Sequence, residues 1–338
     1  MAGKSGREIS ATPKKSVKDV IFSREGALVI LLIAVNIFGI IISKVYNPQN
    51  VLREMPKYLA EIFIMLGMAY ILVLGDIDIS VGSIVCLCAT MACLFSNAGI
   101  PMVGVIILVL LVGFVCGSIN GLVATKFPEL PTMIITLATQ IIFRGIAEVS
   151  LGSGGSTSLS NNTKEFTTLA MKVGNLVPLS LFFVVIAAII FGVLLGKMTF
   201  GRKLYAIGSN KTAAKFAGIE VEKYRFICFA LIGFMAGICG LFLVSTLFGA
   251  NTTTGQGFEM EVIAMCVFGG IATTGGKGNL IGGFIAAFVI ICLRIALGQV
   301  NVNTQIILVV IGIMLIVAVL IPTISNYISD AKKKASRA

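Results

Sequence analysis

Chemistry in a chain of 338 residues with no histidine and no tryptophan must come from its carboxylates, cysteines, lysines and glycines. The missing histidine removes the usual general base and the commonest nitrogen ligand for a metal. Ser-His-Asp, Cys-His and HExxH sites are therefore excluded. The 8 cysteines all lie inside apolar runs, where a reduced thiol acts as a small hydrophobe. Cys86-Leu-Cys88 and Cys88-x4-Cys93 do not have zinc spacing, and no second ligand pair follows. Two carboxylates stand closer together: Asp76 and Asp78, in the run Val73-Leu-Gly-Asp-Ile-Asp-Ile-Ser-Val-Gly82. The other conspicuous run is Gly269-Gly-Ile-Ala-Thr-Thr-Gly-Gly-Lys-Gly-Asn279. Its lysine invites comparison with a phosphate-cradling loop, but a Walker A motif needs four residues between its first Gly and the Gly-Lys-Ser/Thr. Here five separate Gly270 from Gly276-Lys277, and Gly278 follows. We expect no cofactor on this chain, and any energy from ATP must enter through another subunit.

The elements that would position these residues follow from composition. Hydrophobic residues make up 57% and charged residues 12%, against about 25% charged in an ordinary soluble domain. Too few charges remain to clothe a soluble core. The apolar residues come in runs long enough to cross a hydrocarbon layer of about 30 Å. They predict an all-α polytopic membrane protein with about ten transmembrane helices, some short or broken. The spans are placed at 27–43, 57–74, 79–96, 101–126, 130–150, 177–197, 225–248, 259–272, 279–298 and 303–322. The first run is too long for a cleaved signal and has no small-residue cleavage pattern behind it, so it reads as a retained span. The net charge of +11 forms no nucleic-acid patch, because the basic residues sit at the ends of apolar segments. With ten spans, 19 of the 26 Lys and Arg fall on one side and 7 on the other. By the positive-inside rule the first side is cytoplasmic. Both termini are then cytoplasmic: a tail over 1–26, a transmembrane domain over 27–322, and a basic tail over 323–338.

Two loops exceed simple turns. The outer one, 151–176, is rich in Ser, Thr, Gly and Asn, and reads equally as a docking surface or a solvated connection. The inner one, 198–224, contains Gly208-Ser-Asn-Lys-Thr-Ala-Ala-Lys-Phe-Ala-Gly-Ile219, which reads as a short helix. Ser209 or Asn210 can cap it and Gly218 can end it, with Thr212 between. Ala213, Ala214, Phe216 and Ala217 give it an apolar face, suited to lipid headgroups or to a groove on a partner. Within the interrupted segments, Ser80 is placed to cap a helix beginning near Val81. Asp76 and Asp78 should lie at a membrane rim or in a polar cavity, since a carboxylate at mid-bilayer costs about 3 kcal/mol. Such breaks often line transport pathways, which makes Asp76, Asp78, Ser80, Gly269, Gly270, Thr273 and Thr274 a candidate gating set. Glycines four apart (Gly113, Gly117 and Gly121; Gly233 and Gly237; Gly192 and Gly196) permit close helix approach, within the chain or between subunits.

Four stretches in order, GDIDISVGS at 75–83, LPTMIITL at 130–137, FGRKLYAIGSNKTAAKFAGI at 200–219 and EMEVIAMCVFGGIATTGGKGN at 259–279, resemble the permeases of ribose-type sugar ABC importers, a group that includes xylose, galactose and autoinducer-2 permeases. The resemblance covers nearly everything after the first span. It implies a fold like that of the vitamin B12 importer permease and a second permease subunit, the same chain or a relative. It also implies a coupling helix at Gly208–Gly218 seated on an ABC ATPase that holds ATP-Mg, and an external sugar-binding protein. The location it implies is the inner membrane of a bacterium, and the cargo a neutral monosaccharide or related polar solute. This chain reads Gly75-Asp76-Ile77-Asp78 where family members often read GGID, and Pro131-Thr132-Met133-Ile134 where many read PPFI. The competing expectation is a stand-alone ion-coupled secondary transporter. Its ionisable groups would be Glu148 and Arg294, both expected near outer helix ends, where long side chains snorkel.

Overall fold

The computed structural model describes residues 24–316, apart from 175, 304 and 315. The expected C-terminal tail, the end of the last span and most of the N-terminal tail lie outside the described residues. Among the described residues seven helices are long and apolar enough to cross a membrane: α1 (Arg24–Ile42), α3 (Pro56–Val73), α5 (Met102–Lys126), α6 (Thr132–Leu151), α8 (Leu179–Gly196), α11 (Val221–Leu247) and α13 (Leu280–Gln299). Shorter apolar helices are α4 (Val81–Asn97), α12 (Phe258–Phe268) and α14 (Gln305–Met314). Short polar-loop helices are α2 (Pro48–Glu54), α7 (Thr163–Leu169), α9 (Thr199–Ser209) and α10 (Lys211–Phe216). Among the described residues, nine of the ten expected apolar segments are thus seven full-length helices and two short ones, and the tenth is described only in part.

Local chemistry starts many of them. Pro56 occupies the first turn of α3, and Pro101, Pro131 and Pro178 immediately precede α5, α6 and α8; proline's fixed φ suits a helix start, where its missing N–H costs nothing. Asn279 caps α13 by accepting from the Ile281 N–H at 3.0 Å.

Layering follows composition. α3 is the central post, with every residue from Leu59 to Val73 buried. It packs against α11, α8 and α12. α1, α5, α6 and α8 turn Ile, Val, Leu and Phe outward, as lipid-facing helices do. The most extensive helix pair is α5 with α11. At its crossing, Gly113 and Gly117 meet Gly233 so closely that a Cβ on Gly117 would sit 2.2 Å from the Phe229 carbonyl oxygen. These glycines therefore serve packing within the chain. Gly192 and Gly196 do not: Gly196 has nothing within 4 Å of a notional Cβ, and Gly192 only Leu280 Cδ2 at 4.0 Å.

Two small antiparallel ribbons order the loops. β1 (Ser156–Ser158) of the 151–176 loop pairs with β4 (Gly249–Asn251), and β2 (Lys172–Val173) with β3 (Val177–Pro178). The chain after β4 then folds inward: the Cys86 thiol reaches the Asn251 carbonyl at 3.5 Å, and Gly255 lies against Gly82 and Val85. α12 starts from this inward position and has only 11 residues, a rise of about 16 Å. It is a half-length helix beginning inside the bundle.

Candidate coupling and gating site

Three segments picked out from the sequence meet at one point. α3 ends at Val73, the chain turns at Gly75 with φ +78°, and α9 runs its last residues, Gly208 and Ser209, against that turn. The glycine run closes the third side: the Gly276 N–H donates to the Val73 carbonyl at 2.8 Å. Gly208 is wedged between the two, where a Cβ would fall 1.9 Å from Val73 O and 2.5 Å from Gly276 N. Only a residue without a side chain lets three backbones share this space. The Tyr205 hydroxyl, pushed up from its ordinary pKa by burial, donates to the Gly278 carbonyl at 2.8 Å, and the Ser209 hydroxyl donates back to Tyr205 O at 2.8 Å. The Thr274 carbonyl lies against Gly75, Gly269 backs onto Gly283 of α13, and Gly270 meets the Arg24 side chain. Thr273 and Thr274 are exposed.

Charge binds this junction. Asp76, 3% exposed, accepts from Arg225 Nε at 2.6 Å and Nη2 at 3.2 Å, and from Lys211 Nζ at 2.9 Å. Arg225 also donates from Nη1 to the Ala124 carbonyl at 2.6 Å, and Thr132 Oγ1 approaches Asp76 at 3.5 Å. One carboxylate thereby gathers the end of α3, the start of α10, the start of α11 and the first turn of α6, while Arg225 adds the end of α5. Lys211 and Arg225 are absent from the candidate set drawn from sequence; both read there as loop charges. Their only sequence signal is that two cations flank a short helix while Asp76 needs a partner.

Asp78 is fully buried, and among the described residues no cation pairs with it. It accepts from the Ser80 N–H at 2.9 Å and hydroxyl at 2.7 Å, Asn120 Nδ2 donates to Ser80 Oγ at 2.7 Å, and the Ile79 N–H donates to Thr136 Oγ1 at 3.2 Å. α4 does begin at Val81, but Ser80 is not its side-chain cap. Its hydroxyl is committed to the Asp78 carboxylate, which also accepts from its N–H.

The short helix α10 follows Asn210, whose side chain accepts from the Ala213 N–H at 2.9 Å, and the chain leaves at Gly218 with φ +79°. Its apolar residues differ in burial. Ala214 is buried against the body, while Ala213 and Ala217 are exposed and Phe216 is 89% exposed. The four share one arc of about 160° on the helix, with Ala214 at the edge that meets the body and the other three turned outward. Thr212, Lys215, Phe216 and Arg225 line a half-open groove of about 480 Å³ beside it, bounded by Thr125 and Pro128.

A second charged cluster was missed from sequence in part and misplaced in part. Arg294 does not snorkel at a helix end. It is 9% exposed, donating to Glu61 of α3 at 3.0 Å, paired with Glu261 of α12, and lying 5.5 Å from the centre of the Tyr58 ring. The cause is α12: starting inside the bundle, it delivers Glu261 to a depth where a full-length span would place apolar residues. Glu259, also on α12 and buried, lies against Gly82. Glu148 is exposed. Among the described residues no group of three or more His, Cys, Asp and Glu is arranged to hold a metal ion.

Comparison with known proteins adds a second line. A family model described as branched-chain amino acid transport system / permease component matches residues 58–319. Ribose import permease protein RbsC of Bacillus subtilis (strain 168) is 33% identical over 97% of this chain and 99% of that protein. The protein of that name in Haemophilus influenzae is 29% identical over 90% of this chain and 94% of its own length. Autoinducer 2 import system permease protein LsrC of Yersinia pestis is 32% identical over 79% of this chain and 76% of its own. Taken with a membrane-spanning helical fold, these matches mean that the chain belongs to the branched-chain amino acid transport system / permease component family, as a permease of the sugar-type ABC importers.

Proposed function

We propose that the chain is one half of a translocation pathway driven by ATP bound and hydrolysed, with Mg²⁺, on a separate ABC ATPase. A second permease subunit completes the pathway, and an external binding protein delivers the solute. That solute is a neutral monosaccharide or a related polar compound of the autoinducer-2 kind, in keeping with the relatives' names. The membrane is the bacterial inner membrane, with both tails in the cytoplasm, as the 19-to-7 division of Lys and Arg supports.

The observation that carries this reading is the direct ionic link from α10 to the broken segment after α3. Lys211 is the first residue of α10, and its partner Asp76 is two residues before Asp78. An ATPase gripping the exposed Ala213 and Phe216 would move α10, and α10 cannot move without pulling on Asp76 and on the Val73–Gly208–Gly276 contact. Two ligands coupled through one shared element is what allosteric linkage requires. The broken segment, with Asp78, Ser80, Asn120 and Thr136, is then the gate, and the glycine run is the bearing on which it turns.

The test is Ala213→Glu and Phe216→Glu, both on exposed positions. Each should abolish ATP-driven uptake and co-purification of the ATPase while leaving the protein in the membrane at its normal level. Full uptake in both variants would sink the assignment. One observation favours the ion-coupled alternative, namely the buried Glu61–Arg294–Glu261 cluster, since intramembrane ionisable groups are what such a transporter needs. Uptake into liposomes by this chain alone, driven by a proton or sodium gradient, would establish it.

A further inference from the structure

α8 and α13 do not close against each other along their lower halves. Between them runs an apolar groove of about 460 Å³, lined on α8 by Val185, Ile189, Gly192 and Gly196 and closed at one end by Lys197 and Asn279. The two glycines give it a smooth floor, open as described above. Among the described residues Lys197 and Asn279 are its polar lining; both are exposed, and the Asn279 amide donates to the Glu25 carboxylate of α1 at 3.4 Å. Among the described residues Lys197 has no ion-pair partner.

From Val185 to Lys197 the helix rises about 18 Å, close to the roughly 15 Å of one leaflet's hydrocarbon. The outer wall is lipid-facing: Ile186, Ile190 and Ile281 are exposed beside it. An apolar slot one acyl chain long, with a cation at the headgroup end, has the charge pattern of a phospholipid carrying a net negative headgroup. A second copy of α8 fits less well, because Leu179–Gly196 contains no acidic residue to answer Lys197.

We infer that this groove is a binding site for one anionic phospholipid of the leaflet nearer α10, its acyl chain on Gly192 and Gly196 and its phosphate on Lys197. The position matters mechanically. α9 begins at Thr199, and the corner from α8 is so tight that a Cβ on Gly201 would fall 1.8 Å from the Leu195 carbonyl oxygen. A lipid held at Lys197 therefore braces the root of the arm that ends at Gly208. The inference does not depend on which solute is carried or on what drives transport.

The experiment is native mass spectrometry of the full-length chain in detergent, with phosphatidylglycerol or phosphatidylcholine added. Three variants are compared: Lys197→Gln, Gly192→Leu to fill the floor, and Lys172→Gln on the remote loop as a charge control. The wild type should retain phosphatidylglycerol over phosphatidylcholine. Lys197→Gln should lose about fivefold of that preference, the worth of one basic residue at a headgroup, and Lys172→Gln none of it. Gly192→Leu should reduce binding of both lipids at unchanged circular dichroism. Equal retention of the two lipids by the wild type overturns the proposal. So does an equal loss in Lys172→Gln, or a two-chain species without lipid that Gly192→Leu dissociates. If Gly192→Leu fails to fold, the Lys197→Gln comparison alone decides.

Discussion

Replacing Asp76 with Asn keeps the shape of the side chain and removes its charge. In the structure that leaves Arg225, buried at 8% exposure, with one neutral acceptor and the Ala124 carbonyl. Removing one partner of a buried ion pair costs about 3–5 kcal/mol, chiefly because the other charge stays buried uncompensated. Arg225→Gln should cost less than Asp76→Asn, because Asp76 keeps the Lys211 ammonium at 2.9 Å. The double variant Asp76→Asn, Arg225→Gln removes both charges, so its cost should fall well short of the sum of the two. Lys211→Gln differs: Lys211 is 45% exposed, so water screens its bond and the stability cost is below about 1 kcal/mol. Its effect should appear in coupling instead, as about a fivefold fall in binding-protein-stimulated uptake. Unfolding of the purified chain in a denaturing detergent reads the first three variants. Proteoliposome uptake with the ATPase and binding protein present reads the fourth. Strict additivity in the double variant, or single costs under about 1 kcal/mol, would refute the claim that a buried pair holds the junction. Unchanged uptake in Lys211→Gln would refute transmission through α10.

Other perturbations separate packing from function. Gly117→Leu should eliminate the folded protein from the membrane fraction, since its Cβ alone would sit 2.2 Å from Phe229 O, whereas Gly196→Ala, in open space, should express normally on an immunoblot. Arg294→Met strands Glu61 and Glu261 and should cost about 3–5 kcal/mol; the triple variant Glu61→Gln, Glu261→Gln, Arg294→Met should recover most of it in the same unfolding assay. ATP-driven uptake by that triple variant should persist under collapsed ion gradients, and its loss would instead support ion coupling. Gly208→Ala, forced against Val73 and Gly276, should abolish uptake even where some protein remains in the membrane, measured as uptake per mole of immunodetected chain.

Much was legible without coordinates because it depends on sums over neighbouring residues. Apolar runs, scarce charges and basic residues at segment ends establish a membrane protein with about ten apolar helices, since lipid reads hydrophobicity locally and needs no tertiary partner to do so. The start of α4 at Val81 and the capping of α10 by Asn210 were equally local, as they rest on hydrogen bonds within a few residues. That Ala213, Ala214, Phe216 and Ala217 share one arc of α10 is helix geometry, yet which part of that arc turns inward depends on the body beneath it. Tertiary structure alone decided which charges pair. Lys211 lies 135 residues from Asp76, Arg225 149 from it, and Arg294 233 from Glu61. Nothing in a sequence of mostly apolar helices says which carboxylate faces which cation. Arg294 was misplaced for the same reason: its burial follows from a half-length helix that starts inside the bundle, a depth fixed by how β4 and the 252–257 turn fold in against α4. The residue types came from the sequence, and the low-dielectric interior that makes their pairing obligatory exists only once the helices have packed.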